Sequence, residues 1–336
     1  MENPNVTPGS RRPSALLIAG GLALLLLLFY LLAVFWSSEP DHIDISAIEA
    51  EANRDGRVVT GYTTVETAAR VADTLLDKRG GFLSNDIMPP GVWMDNMPAW
   101  EYGVLVQVRD MAKALRNDMS RSQSQSLEDK DLKEAEPLFN IDRRSWFLPE
   151  AEDEYRKGIR RLRSYRDRLG GGDSQRTRFY ARADNLRDWL AVVDKRLGSL
   201  SQRLSASVAD EEAERIEALK DNQASGNTRD RLSKIRTPWL EIDDVFWEAR
   251  GTAWALIQLL RAVQTDFGPV LEDKNALVSL RQIIRELEAT QEFVWSPMVL
   301  NGSGFGVMAN HSLVMGSYIS RANAGLIDLR DLLKQG

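Results

Sequence analysis

The sequence has no cysteine and only two histidines, His42 and His311, among its 336 residues. Without cysteine the chain cannot form disulfides, thiolate nucleophiles, zinc ribbons or iron–sulfur clusters. Two histidines nearly exclude any site that needs two or three imidazole ligands, and no EF-hand calcium loop is present. We therefore expect no metal site and no cofactor.

An excess of basic residues is also missing. The chain carries 43 Lys and Arg against 49 Asp and Glu, for a net charge of −6. A general nucleic-acid-binding protein is expected to be basic, so nucleic acid is not an expected partner. With 43% apolar and 27% charged residues, the chain has the composition of a folded protein rather than of a disordered one.

The first strong signal is an uncharged run of 22 residues from Ala15 to Trp36, ten of them leucine. A helix of this length spans about 33 Å, which matches the hydrocarbon core of a bilayer. A cleavable signal peptide has a shorter apolar region and a small-residue cleavage site, and no such site follows Trp36. The run predicts an uncleaved membrane anchor, with a cleaved signal or a buried core helix as the alternatives.

The charges that flank this run predict its orientation. Arg11 and Arg12 precede it, whereas the first charged residues after it are acidic, beginning with Glu39 and Asp41. Because basic residues are retained in the cytoplasm, residues 1–14 are expected to stay inside and the bulk of the chain to be exported. In a bacterium this describes a single-pass inner-membrane protein with a periplasmic domain.

The exported part has helical periodicity and lacks the alternating β-branched runs of strands. We predict an all-α fold in which the anchor (15–36) is followed by a helical bundle that contains a long coiled-coil-like hairpin. Polar residues 37–61 are interpreted as a linker. The predicted bundle comprises a helical lobe with the hairpin (62–205), a hairpin tip or boundary (206–236) and a C-terminal lobe (237–336).

A heptad-like seam is the clearest periodic feature. Its apolar residues are spaced alternately four and three apart, the pattern of a coiled coil or long bundle helix. They are Phe179, Ala183, Leu186, Leu190, Val193, Leu197, Leu200 and Leu204. Residues 155–169 have an apolar face that can pack against this seam, and Gly170–Gly172 can form the turn between the two helices. This arrangement predicts an antiparallel hairpin. A second seam runs from Met315 to Leu333. Each seam either packs within the core or remains open for another protein, including a second copy of this chain.

Two stretches resemble a known family. Residues 83–91 read LSNDIMPPG, and residues 93–103 read WMDNMPAWEYG. They resemble a proteobacterial inner-membrane family of unknown function, domain-of-unknown-function family 2333. The resemblance covers most of the chain, including one amino-terminal membrane span and the loop near 301–311. It implies a location in the cell envelope and supplies no catalytic residues.

Two apolar loops are candidate binding regions. The first, 82–101, is rich in Met, Pro and Trp, and the second, 293–320, has no formal charge over 28 positions. An apolar loop of this kind is shielded from water in one of three ways: it packs into the core of its own domain, it contacts a partner or ligand, or it contacts a membrane. The candidate contact residues are Trp93, Met94, Asn96 and Trp100 in the first loop, and Asn301, Phe305 and Asn310 in the second.

Carboxylates offer the main route to an enzyme. A glycan hydrolase needs a glutamate whose pKa is raised in an apolar pocket, together with a second carboxylate. Glu101 lies between Trp100 and Tyr102, and Asp95 could be the second group. The alternative is that Glu101 is a first-turn helix residue favoured by the helix dipole. His311 is a weaker catalytic candidate, since a lone histidine at a helix start usually caps or packs.

A basic run is the last candidate. Arg156, Arg160, Arg161 and Arg163 lie within eight positions. Such a run is either a solvated, partly paired helix face or a surface for an acidic partner.

The sequence therefore leaves two main classes of function. The first is a membrane-anchored interaction, scaffold or assembly protein of the bacterial envelope with an envelope protein as partner. The second is a cell-wall glycan hydrolase or binder that uses Glu101 and Asp95. A third possibility is an envelope protein that contacts lipid through residues 293–320.

Overall fold

The computed structural model describes residues 12–54, 57–123, 125–170, 177–206, 241–293, 299 and 311–335. These ranges contain eleven α-helices, which confirms the predicted all-α class. The described strands are one antiparallel pair of two residues each, β1 (Asn53–Arg54) and β2 (Arg57–Val58). The helices are α1 (Arg12–Trp36), α2 (Ile45–Ala52), α3 (Tyr62–Asp77), α4 (Asn96–Ala114), α5 (Lys130–Phe139), α6 (Ala151–Gly170), α7 (Ala183–Ala206), α8 (Ile242–Asp266), α9 (Gly268–Asp273), α10 (Leu277–Ala289) and α11 (His311–Lys334).

Helix α1 contains the predicted anchor. From Leu16 to Trp36 it is long and apolar enough to cross a membrane, and none of this stretch is buried inside the protein. The leucines of the span are mostly exposed. The alternative of a buried core helix is therefore wrong, because the described bundle leaves most of these side chains exposed.

The segment after α1 is built into the bundle. Glu39 forms an ion pair with Arg250 at 2.6 Å, the Gln258 amide lies 2.5 Å from Nδ1 of His42, and the Gly61 N–H donates to Asp266 at 2.7 Å. These contacts run along α8 from Arg250 to its last residue, Asp266. The interpretation of 37–61 as a linker is wrong, because its polar side chains bind α8 and α2 buries Ile45, Ile48 and Ala52.

Helix α3 then returns the chain to the end of α1. A Cβ atom on Gly80 would lie 2.6 Å from the indole of Trp36, so the backbone after α3 sits directly against the end of the anchor. The Arg79 guanidinium lies 5.2 Å from the centre of the Phe35 ring and donates to Ser38 at 2.9 Å. We call this the anchor end of the bundle; α3 ends there, and α4, α6, α8 and α11 begin there.

Helices α4 and α8 form the most extensive interface between described helices. They run in the same direction, since Asp95 before α4 and Asp244 near the start of α8 line one cleft. Two glycines allow their backbones to approach closely. A Cβ on Gly251 would overlap the carbonyl oxygen of Trp100, and one on Gly103 would overlap that of Glu248. The rings of Trp100 and Trp254 pack beside this contact, 5.3 Å apart.

The seam of α7 packs against α11 rather than α6. Its leucines and Val193 are buried, as are the apolar residues of the second seam, and the helices run antiparallel, with Gly316 against Leu204 and Arg330 paired with Asp194. Phe179 precedes α7 and packs edge-on against Phe267. The predicted hairpin pairing is wrong: α6 packs on α3 and α5. Heptad spacing identifies a buried stripe, but it does not specify which helix covers that stripe.

The two predicted lobes share one hydrophobic core. Helices from both sides of the predicted boundary pack together, α4 with α8 and α7 with α11. Most of the predicted boundary, 206–236, lies outside the described residues.

Candidate functional site

Glu101 is the last residue of the first apolar loop and lies on α4, where its side chain faces the start of that loop. Its carboxylate is 2.6 Å from the Lys78 ammonium and accepts hydrogen bonds from the N–H groups of Leu83 and Ser84, both at 2.8 Å, and from the Ser84 hydroxyl at 2.6 Å. The residue is 0% exposed, and the side chain of Lys78 is also buried. Glu101 therefore joins the end of α3, the following loop and α4.

This environment is structural rather than catalytic. Burial raises the pKa of Glu101, and the Lys78 ammonium and the hydrogen bonds from Ser84 and Leu83 oppose that rise. A general acid must reach the leaving oxygen of its substrate. The carboxylate of Glu101 has no exposed surface, and both of its oxygens are already bound.

Asp95 lies elsewhere at the anchor end. It is exposed and accepts the Asn96 N–H at 2.9 Å at the start of α4. A cleft of about 410 Å³ contains Asp95 together with charged residues of both signs, including Arg143, Arg203 and Asp244. Glu101 is not among the residues that line this cleft, so the two carboxylates of the proposed hydrolase do not share it.

The other predicted contact residues of the first loop differ in how far they are exposed to solvent. Trp93 is 61% exposed, Met94 and Asn96 are half-buried, and Trp100 is fully buried in the core. Trp100 therefore packs the α4–α8 interface and offers no surface to a partner.

In the second loop, Asn301, Phe305 and Asn310 lie outside the described residues. His311 is the first residue of α11, and its half-buried ring lies 6.3 Å from that of Phe246, which is a packing position. Burial lowers the pKa of His311.

The basic run on α6 is mostly paired. Arg156 binds Asp77 at 3.1 Å, and Arg161 binds Glu134 at 2.6 Å. Arg163 binds Asp73. These carboxylates belong to α3 and α5, the helices that flank α6. Arg160 is exposed and makes no ion pair with any described residue.

Arg160 and Arg161 line a groove of about 850 Å³ between α5 and α6. Further basic residues on its walls are Lys130, Lys133 and Lys157, with Pro137 and Leu138 as the apolar part. The sequence prediction missed the α5 side of this groove. The only signal was the spacing of Lys130, Lys133 and Pro137, which places them on one helix face.

The family model described as "Uncharacterized protein conserved in bacteria (DUF2333)" matches residues 11–336. The chain belongs to this family. The match confirms the resemblance seen in residues 83–103. No curated protein and no solved structure matches the chain. The family description names no activity, so the geometry carries the functional argument.

We predict that Glu101→Gln lowers the free energy of unfolding by about 3–5 kcal/mol, because it leaves the Lys78 ammonium buried without a counter-charge. Denaturant unfolding of the full-length protein in detergent measures this change. Glu134→Gln is the matched control: it removes an exposed partner of Arg161, and about 1 kcal/mol or less is expected.

The double variant Lys78→Met/Glu101→Gln should be more stable than Glu101→Gln alone, since it buries no unpaired charge. Wild-type stability of Glu101→Gln would contradict the structural role.

Proposed function

We propose that this protein is a single-pass, membrane-anchored interaction protein of the bacterial envelope, which presents the α5–α6 groove to an acidic partner outside the inner membrane. The observation that carries the proposal is the groove itself, where five basic side chains surround an apolar strip. A surface of this kind suits an amphipathic acidic segment that lies between two helices.

The charges of the groove are available to a partner. Arg160 is exposed and makes no ion pair with any described residue, and Lys130 and Lys133 are exposed on the opposite wall. The pair between Arg161 and Glu134 is about half-exposed on both sides. Exposed pairs of this kind are weak and can exchange for a carboxylate of a partner. Pro137 and Leu138 add apolar contact between the two rows of charge.

The flanking charges of α1 support the proposed topology. Arg11 and Arg12 precede the span, and Glu39 and Asp41 follow it. With the amino terminus in the cytoplasm, the groove faces the periplasm.

The other readings have weaker support. Glu101 is enclosed by Lys78 and Ser84, so the hydrolase alternative has no accessible acid. Both heptad seams are buried within the chain, so association with a second copy through an open seam is not part of the proposal.

We predict that Leu127→Cys reacts with a membrane-impermeant maleimide applied to intact spheroplasts. Leu127 is 96% exposed in the loop that follows α4, far from the anchor end. The chain has no native cysteine, so the label reports this position alone. Ser10→Cys, in the predicted cytoplasmic tail, should react only after the membrane is permeabilised. The reverse pattern would contradict the topology.

We also predict that a photo-crosslinking residue at Pro137 captures an acidic segment of a partner in cells. Lys133→Glu combined with Arg160→Glu should lower the crosslinked yield about tenfold, since each lost charge pair contributes about 0.5–1 kcal/mol. Lys195→Glu, an exposed reversal on α7, is the matched control and should leave the yield unchanged.

Mass spectrometry of the crosslinked peptides identifies the captured segment and its charge. An unchanged yield in the double reversal, or crosslinks to basic segments only, would contradict the proposed use of the groove.

A further inference from the structure

Large exposed apolar side chains cluster at the anchor end, beyond α1 itself. Four of them belong to the loop between α3 and α4, and three belong to the turn before α6. They are Ile87, Met88, Val92, Trp93, Trp146, Phe147 and Leu148, each at least half exposed. Among the other large exposed apolar residues of the described bundle, Leu127, Val192 and Val278 lie singly on different elements, whereas Leu313, Val314 and Ile327 share α11.

The first of these loops touches the membrane helix. The Trp93 ring packs edge-on against that of Phe29, with centroids 5.9 Å apart. Phe29 lies seven residues before Trp36, which corresponds to about 10 Å along a helix axis. If Trp36 and Arg79 lie at the headgroups, as interfacial aromatic and basic residues do, Trp93 lies below them, at the depth of the acyl chains.

The loop is held in this position by its own contacts. Met88 and Pro90 accept the N–H groups of Val92 and Trp93 at 3.1 and 3.0 Å. The base of the loop is fixed by Glu101 through its bonds to Leu83 and Ser84. The apolar side chains are therefore presented to their surroundings without a conformational change.

The second apolar segment is tied to the first. The Asn85 amide donates to the Ser145 carbonyl at 3.1 Å and to Glu152 at 2.6 Å. This connection places 146–148 beside the loop that contains Trp93. Two carboxylates of the same loop contact the backbone of that loop. Asp95 accepts a hydrogen bond from the Asn96 N–H, and the Asp86 side chain packs against Gly91.

We infer that the anchor end of the bundle docks on the bilayer that α1 enters, and that loops 87–93 and 146–148 insert into the adjacent leaflet. The bilayer is the occupant that fits, because the apolar surface continues directly from α1 through the contact between Phe29 and Trp93. Interfacial elements of this kind bury their apolar side about 5–10 Å into the boundary between headgroups and acyl chains. The inference rests on the membrane-anchored part of the proposed function.

The test uses the full-length chain in vesicles of phosphatidylethanolamine and phosphatidylglycerol. Single cysteines at Met88, Phe147 and Leu127 are labelled with an environment-sensitive fluorophore, which the cysteine-free background makes specific. Nitroxide-labelled lipid should quench the labels at 88 and 147 several-fold more than the label at 127. Aqueous iodide should show the opposite order. Leu127 is the matched control, because it is equally apolar and 96% exposed at the other end of the bundle.

Equal access of iodide to all three labels would overturn the inference. Protection of 88 and 147 from both quenchers would also overturn it, because a second copy or another protein would then cover the loops. Flotation of the vesicles separates this result from a failure of the anchor. If the protein floats with the vesicles but iodide reaches the labels at 88 and 147, only the docking inference fails. If the protein does not float, the membrane anchoring fails, and both proposals depend on that anchoring.

Discussion

Arg250 is the residue on which the arrangement of this molecule depends. Its guanidinium is buried on α8, and all five of its N–H groups have acceptors: two go to the Glu39 carboxylate at 2.6 Å, and three go to the carbonyls of Thr290, Gln291 and Glu292. A buried charge is tolerated only when it is paired and fully hydrogen-bonded. Arg250 therefore holds together the segment that follows α1, the central helix α8 and the end of α10. Contacts of Phe29 and Trp36 join α1 itself to the bundle. In the proposed topology, these contacts fix the orientation of the groove to the bilayer.

Sequence patterns predicted the parts of this fold that local chemistry determines. The uncharged run at 15–36 predicted α1, a helix long and apolar enough to cross a membrane, and the heptad spacing predicted which faces of α7 and α11 are buried. The heptad spacing could not predict that the seam of α7 packs against that of α11, because the spacing describes each helix separately. The segment 37–61 looked like a linker because it is polar. Glu39 and Arg250 are 211 positions apart, and nothing local indicates that they meet.

The candidate site was predictable to a similar degree. The aromatic neighbours of Glu101 indicated a buried position, and the residue is fully buried. Its partner Lys78 belongs to the end of another helix, and this contact turns a candidate acid into a structural ion pair. Trp93 and Trp100 looked equivalent by composition. Only the close approach of α4 and α8 decides that Trp100 is buried, while Trp93 projects from the loop against Phe29.

Hydrogen–deuterium exchange of the full-length protein in lipid nanodiscs, followed at Ile43, at Gly61 and over α2 (Ile45–Ala52), tests most directly whether the segment after α1 is firmly joined to the bundle. We expect slow exchange, comparable to that of α8, because the α2 amides are helical and the N–H groups of Ile43 and Gly61 donate to Gln258 and Asp266. Exchange within seconds, at the rate of an unstructured peptide, would show a flexible tether and contradict the account.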